Sequence, residues 1–125
     1  MVINGGLKDF QGCFTNQDLI LFDNEIIVKK VANLPQRFAH TSHVRQNKLY
    51  QVGGVVLAEI DLILTIVDLT NFVVLQNFQS SEILSAPIVQ HSSIFQDEKI
   101  IIFGGGTNCF SFGMHVNSHI LQIDI

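Results

Sequence analysis

Lys48-Leu-Tyr-Gln-Val-Gly-Gly54 and Lys99-Ile-Ile-Ile-Phe-Gly-Gly105 share one pattern, an apolar run that is closed by a pair of glycines. A third pair, Gly5-Gly6, follows the short apolar run at the start of the chain. The first glycines of successive pairs are 48 and 51 residues apart. Because β-branched residues dominate and no 3.6-residue stripe is present, the runs favour strands over helices. A repeat near 50 residues built from strands is typical of the kelch blade, a four-stranded antiparallel sheet of a β-propeller.

Two further signals recur with the glycine pairs. A histidine stands 13 residues before the first glycine of the second and third pairs, at His40 and His91. An apolar run that ends on an aspartate follows each pair, at Asp23, Asp68 and Asp124. This recurrence indicates a structural hydrogen bond for each histidine and a turn-forming role for each aspartate. The glycines are expected where the second strand leaves its sheet, because that place favours a positive φ or the lack of a side chain. The repeated residues to which we assign a structural role are Gly5, Gly6, His40, Gly53, Gly54, His91, Gly104 and Gly105.

The fold class predicted from these repeats is all-β, a fragment of a kelch-type propeller with about two and a half four-stranded antiparallel blades. The predicted strands are 18–23 and 25–31, then 41–45, 48–52, 60–68 and 72–78, then 91–96, 99–103 and 119–124. Approximate blade limits are 1–33, 34–83 and 84–125, with the first and last blades incomplete. Closed propellers have about four to eight blades, so further blades or another partner are expected to cover the outer faces.

Composition excludes several classes of protein. Hydrophobic residues make up 47% of the 125 residues and charged residues 14%, and the net charge is −4. No basic run exceeds Lys29-Lys30, so an electrostatic footprint for nucleic acid is not present. The apolar region 55–75 contains three acidic residues, which exclude a membrane span. Two cysteines and no secretory signal favour a reducing, cytoplasmic location.

The segment from Gly104 to Asn117 is longer than a turn between two strands of a blade requires. Glycines, aromatic rings and polar side chains on a rigid scaffold are typical of a binding loop. The connection between blades that contains Arg37 is expected on the same propeller face. An alternative is that Phe110 and Phe112 plug this face while the polar residues cap turns. The candidate binding residues are Asn108, Cys109, Phe110, Ser111, Phe112, His115, Asn117 and Arg37.

Catalytic, cofactor and metal sites are not predicted. The glycine triplet at 104–106 lacks the Lys-Ser/Thr end of a phosphate-binding loop. Cys109, His115 and His119 have a loose metal-like spacing, but a zinc site needs a fourth ligand. A disulfide between Cys13 and Cys109 is not expected in a reducing compartment. The isolated segment should therefore catalyse nothing.

The stretch 100–117 resembles the kelch region of the tRNA wybutosine-synthesizing protein 4 family, also called leucine carboxyl methyltransferase 2. Its Asn-Cys-Phe-Ser-Phe-Gly part, residues 108–113, is the most specific portion of the resemblance. Leu34-Pro-Gln-Arg-Phe-Ala-His40 followed by Tyr50-Gln-Val-Gly-Gly54 is similar to the preceding blade of that region. The resemblance covers essentially the whole chain and corresponds to the carboxy-terminal part of the family's propeller.

The resemblance implies a role in wybutosine formation on tRNA. Members of the family join a methyltransferase domain that uses S-adenosylmethionine to a kelch propeller. They methylate and methoxycarbonylate a hypermodified guanosine beside the anticodon. By resemblance, the expected partners are the missing blades or a methyltransferase domain, with tRNA bound by the full-length protein. The methyltransferase domain is not in this chain, so catalysis is not expected of it alone. A second hypothesis is a kelch module that binds a protein through its blade-end loops.

Overall fold

Every regular element that the structure describes is a β-strand. The computed structural model describes residues 1–6, 18–57, 62–79, 88–106 and 117–125. The strands are β1 (Val2–Asn4), β2 (Asp18–Asp23), β3 (Glu25–Lys30), β4 (Gln36–Phe38), β5 (Thr41–Arg45), β6 (Lys48–Val52), β7 (Val55–Leu57), β8 (Leu62–Asp68), β9 (Val73–Gln79), β10 (Ser92–Gln96), β11 (Lys99–Phe103) and β12 (Leu121–Asp124). The prediction of an all-β chain is confirmed.

The second repeat forms a complete four-stranded sheet in the order β5-β6-β8-β9. All of its neighbouring strands are antiparallel, with Thr41 opposite Val52 and Lys48 opposite Asp68. The turn from β8 to β9 forms because the Asp68 carboxylate accepts a hydrogen bond from the Thr70 amide at 2.7 Å. This hydrogen bond from the Thr70 amide is the main cause of the lowered pKa of the Asp68 carboxyl. This sheet therefore has the strand order of a propeller blade.

The first and third repeats each form a three-stranded sheet, in the orders β1-β2-β3 and β10-β11-β12. Strands β1, β6 and β11 are equivalent, because each runs directly into a glycine pair. All six glycines of these pairs have positive φ, from 61° at Gly53 to 101° at Gly6. A non-glycine residue adopts that conformation only at a cost, which explains why glycine recurs there.

One small sheet differs from the expected layout. Residues 34–38 were expected to be a connection between blades, but β4 pairs with β7, with Arg37 opposite Val56. This pairing places the segment before His40 beside the segment that follows the second glycine pair. A strand of three residues is too short to be recognised from alternating apolar and polar residues in the sequence.

The sheets pack on one another in series through two apolar clusters. One cluster joins the first and second sheets and contains Leu19, Val31, Leu34, Leu49 and Val67. The other joins the second and third sheets and contains Tyr50, Val52, Ile63, Leu64, Ile66, Ile88, Ile100, Ile102 and Ile123. Blades of a propeller bury their faces against neighbours in this way, so the prediction of a kelch-type propeller fragment is confirmed. Within the described parts of the chain, no helix is long and apolar enough to cross a membrane.

Candidate functional site

The first and second sheets meet at a joint made by a glycine pair and a histidine. The Gly6 amide donates a hydrogen bond to the Arg37 carbonyl at 2.8 Å. A β-carbon on Gly5 would lie 2.5 Å from both the Arg37 carbonyl oxygen and His40 Cε1. The His40 Nε2 atom is 2.8 Å from Asn4 Oδ1, in the strand that precedes the glycine pair. We call this arrangement a glycine–histidine joint.

A second glycine–histidine joint repeats this geometry between the second and third sheets. The Gly54 amide donates to the Ile88 carbonyl at 2.7 Å. A β-carbon on Gly53 would lie 2.5 Å from both the Ile88 carbonyl oxygen and His91 Cε1. The ring of His91 bonds to the preceding sheet through Nε2, which is 3.0 Å from Thr41 Oγ1. The structural hydrogen bond predicted for each histidine therefore exists, and in both cases it crosses between sheets.

The third glycine pair lies at the equivalent place but has no such partner within the described residues. No atom of the described residues lies within 4 Å of the position that a β-carbon on Gly104 would take. Gly104 is exposed, whereas Gly53 is buried. Among the described residues, the Gly105 amide has no backbone acceptor, whereas the equivalent amides of Gly6 and Gly54 each have one. Among the described residues, the third pair therefore lacks the histidine ring and the carbonyl that contact the other two pairs.

Burial lowers the pKa of both joint histidines. The pKa of His40 falls to about 4, first because of desolvation and then because of the positive charges of Arg37 and His91. Burial also lowers the pKa of His91, with a smaller contribution from His43. Since Asn4 Oδ1 can only accept, the neutral His40 ring carries its proton on Nε2. Its Nδ1 is buried and has no hydrogen-bond partner in the described structure.

A polar chain extends the second joint along the inner strands. Ser93 Oγ is 2.5 Å from Thr41 Oγ1 and 2.7 Å from His43 Nε2. Together with His91, these side chains link β5 to β10 across the interface between sheets. A serine beside a histidine is also the arrangement of an activated nucleophile. Here the Ser93 hydroxyl is shared with Thr41 inside a row of bonds between sheets, which gives it a structural role.

The structure places Arg37 in strand β4, with its side chain buried. Its guanidinium donates to the Gly53 carbonyl at 2.9 Å, to the Gln51 carbonyl at 3.4 Å and to Thr65 Oγ1 at 2.6 Å. Burial lowers its pKa to about 10. Arg37 was a candidate binding residue on a loop, but here its guanidinium holds the end of β6 beside β8.

Among the other candidate binding residues, only Asn117 is described. Its amide nitrogen donates to the Gly104 carbonyl at 3.1 Å and to the His119 carbonyl at 2.9 Å. The first of these bonds joins Asn117, the last residue of the long segment that begins at Gly104, to the third glycine pair. The remaining candidates, Asn108, Cys109, Phe110, Ser111, Phe112 and His115, lie outside the described residues, as does Cys13. No group of metal-ligating side chains is found within the described ranges.

Sequence reasoning missed the residues that receive the histidines. Asn4 Oδ1 accepts hydrogen bonds from His40, from Gln51 Nε2 at 2.7 Å and from Ser42 Oγ at 3.3 Å. Thr41 has the corresponding role for His91. The available signal was the position of each residue, next to a glycine pair for Asn4 and next to a histidine for Thr41. That signal does not say which strand of which sheet the histidine reaches.

Comparison of the sequence with protein-family models and with curated proteins gives no match.

Proposed function

We propose that this chain is the kelch-propeller portion of an S-adenosylmethionine-dependent tRNA methyltransferase that acts in wybutosine biosynthesis. In this role it is a binding scaffold and does not contain the catalytic domain. The observation that carries the proposal is the resemblance of residues 100–117 to that family. The confirmed propeller-fragment fold supports it, because the stretch begins in β11 and its glycine pair follows the end of that strand.

The long loop, from Gly106 to Ser118, is the part of this scaffold that meets its partner. It faces either the methyltransferase domain or the modified anticodon loop. Phe110 and Phe112 supply apolar or stacking contacts, because flat aromatic side chains suit bases that are splayed out of a helix. Asn108 and His115 supply hydrogen bonds. With a net charge of −4, the chain is not expected to bind mainly through phosphates, so binding should depend weakly on salt.

The experiment is disruption of the gene in its own organism, followed by mass spectrometry of tRNA nucleosides. Loss of wybutosine with accumulation of its unmethylated precursor is expected, and the unaltered gene should restore the modification. A gene with Asn108, Phe110 and Phe112 changed to alanine should restore it poorly. The matched control is Val44→Ala, which removes an exposed apolar side chain from β5, far along the sequence from the loop. An unchanged wybutosine content after disruption would overturn the proposal.

The second candidate is a kelch module that binds another protein and has no role in tRNA. Two features favour this candidate: only 14% of the residues are charged, and the first sheet has exposed apolar side chains. Flanking sequence separates the two: an α/β domain that binds S-adenosylmethionine supports the first, and a BTB or F-box segment supports the second. Normal wybutosine in the disrupted strain, together with a protein bound through the long loop, would favour the interaction module.

A further inference from the structure

The first glycine–histidine joint contains the only Asn-Gly sequence in the chain, Asn4-Gly5. Asparagine is among the thermolabile residues of proteins, because the backbone nitrogen of the next residue can attack its side-chain carbonyl carbon. A glycine in that next position has no β-carbon to hinder the attack. Every other asparagine of this chain is followed by a residue with a side chain. The glycine that the joint requires for packing therefore also makes Asn4 the asparagine most susceptible to deamidation.

The folded joint holds the Asn4 side chain away from this reaction. Its Oδ1 accepts hydrogen bonds from His40 Nε2 at 2.8 Å, from Gln51 Nε2 at 2.7 Å and from Ser42 Oγ at 3.3 Å. The Gly5 backbone is packed closely, since a β-carbon there would lie 2.5 Å from the His40 ring. Ring closure between the Asn4 side chain and the Gly5 nitrogen needs both groups to move. The reaction therefore requires local opening of the joint.

The aspartate product fits the same three hydrogen bonds. At Oδ1 the Asn4 side chain only accepts, so a carboxylate oxygen can take over each bond without any rearrangement of the donors. The partly buried ring of His40 would then lie at hydrogen-bond distance from a negative charge. That charge favours the imidazolium form and raises the pKa of His40 above its present value of about 4. A neutral hydrogen bond between sheets becomes a charge-assisted one.

We propose that Asn4-Gly5 is a deamidation site that the first joint protects, and that the aspartate product keeps the joint closed through an ion pair with His40. In the reaction, the Gly5 nitrogen forms a bond to Asn4 Cγ, and Nδ2 leaves as ammonia together with the proton of the Gly5 amide. Water then opens the succinimide at Cγ to give aspartate. Water that attacks the backbone carbonyl instead gives isoaspartate, which adds an atom to the main chain and displaces Gly5 from His40. This site does not depend on what the long loop binds.

The first test measures how fast Asn4 is converted to aspartate and isoaspartate, by peptide mass spectrometry after incubation at neutral pH. The folded chain should react at least about tenfold more slowly than the same chain in urea, as expected for an opening that breaks several hydrogen bonds. His40→Ala removes one donor to Oδ1 and should speed the reaction in the folded chain several-fold. The matched control is His91→Ala in the second joint, which should leave the rate near that of the unaltered chain. Equal rates in the folded and the urea-unfolded chain would overturn the proposal.

Hydrogen exchange checks that each variant remains folded, because the second-glycine amide of the unaltered joint is protected only while that joint is closed. This amide is that of Gly54 for His40→Ala and that of Gly6 for His91→Ala. If His40→Ala fails the check, Ser42→Ala replaces it, since it removes only one hydroxyl donor to Oδ1. Its reaction should be about twofold faster, as for loss of one weak hydrogen bond. An unchanged rate in whichever variant passes the check would contradict protection by the joint.

The second test concerns the product and uses Asn4→Asp, with the ring of His40 followed by NMR as the pH is varied. His40 should bind its proton at a higher pH than in the unaltered chain, and the Gly6 amide should stay protected from exchange. The matched control is Asn24→Asp, at an exposed turn position between β2 and β3, which should leave the titration of His40 unchanged. An unshifted His40 titration in Asn4→Asp, or a Gly6 amide that exchanges faster, would show that the aspartate product does not keep the joint closed.

Discussion

The imidazole of His91 takes the space that a side chain on Gly53 would need, with Cε1 2.5 Å from the position of a β-carbon there. The same distance relates His40 to Gly5. The two residues of each pair are 35 or more positions apart along the sequence and belong to different sheets. Glycine therefore recurs at the same period as histidine, because a side chain at the glycine position would clash with the histidine ring.

Gly53→Ala is expected to lower the free energy of unfolding by more than about 3 kcal/mol. The new methyl group would meet the Ile88 carbonyl and the His91 ring, in addition to the cost of a φ of 61°. Gly104→Ala is the matched control, because Gly104 has a φ of 67° and no atom of the described part of the chain lies within 4 Å of the position that the new methyl group would take. It should cost only about 1–2 kcal/mol, the price of the left-handed backbone. Urea unfolding of both variants measures the difference, and equal losses would show that the joint does not resist a methyl group.

The stability of the chain should fall as the pH drops from about 6.5 to about 4. The pKa of His40 is about 4 when folded and near 6.5 when unfolded, so in this range only the unfolded state binds the proton. The free energy of unfolding is therefore not reduced by His40 above pH 6.5, and it decreases as the pH falls towards about 4, the pKa of His40 in the folded chain. A shift of this size corresponds to about 3 kcal/mol for His40, and the lowered pKa values of His91 and His43 act in the same direction.

His40→Gln isolates the contribution of His40 to this pH dependence. Glutamine does not titrate, and its amide can still donate to Asn4 Oδ1. Urea midpoints at pH 7, 5.5 and 4.5 should show a shallower decline for the variant than for the unaltered chain. Carboxylates such as Asp68 also lose their stabilising bonds as the pH falls, but they do so in both proteins. Parallel curves would mean that His40 is protonated without strain in the folded chain.

The strand order could be predicted from the sequence because each strand carries its own local signal. In the second repeat, for example, the predicted 48–52 matches β6 in full, and the turn at Asn47 has a φ of 58°. The joints could not be predicted, because they depend on which residues of different sheets face one another. Arg37 shows this most clearly. Its place in a predicted connection between blades suggested a surface contact, but its guanidinium donates to two carbonyls and a hydroxyl in the interior.

Arg37→Ala is expected to destabilise the chain by about 3 kcal/mol or more. The substitution leaves the Gly53 carbonyl without its guanidinium donor and a void beside Thr65. Arg45→Ala is the control, because Arg45 makes a 3.6 Å ion pair with Glu98, with both side chains about half exposed, and a cation–π contact with the Phe95 ring at 5.3 Å. That loss should stay within about 1.5 kcal/mol. If Arg37→Ala left the urea midpoint unchanged, Arg37 would not hold β6 and would be free for a surface role.

The purified chain should self-associate through the uncovered face of its first sheet. The strand register places Ile3, Ile20 and Val28 in one row and Phe22 beside Ile26 in the next, all on the same face. Ile26 is 70% exposed and Phe22 47%. The opposite face, which includes Leu19, is packed on the second sheet. A contiguous apolar face of this kind is uncommon on the surface of a monomer.

The double variant Phe22→Thr, Ile26→Thr should shift the chain towards monomer, because threonine removes apolar surface while keeping a high preference for strands. Sedimentation velocity over a wide concentration range measures the change. The control is Leu19→Thr on the packed face, which should lower stability by about 2 kcal/mol or more. Association that persists in a folded double variant would exclude this face as its main source. The unpaired edges of the sheets would then be the surface that joins the molecules, because an exposed strand edge offers free backbone groups to a second chain.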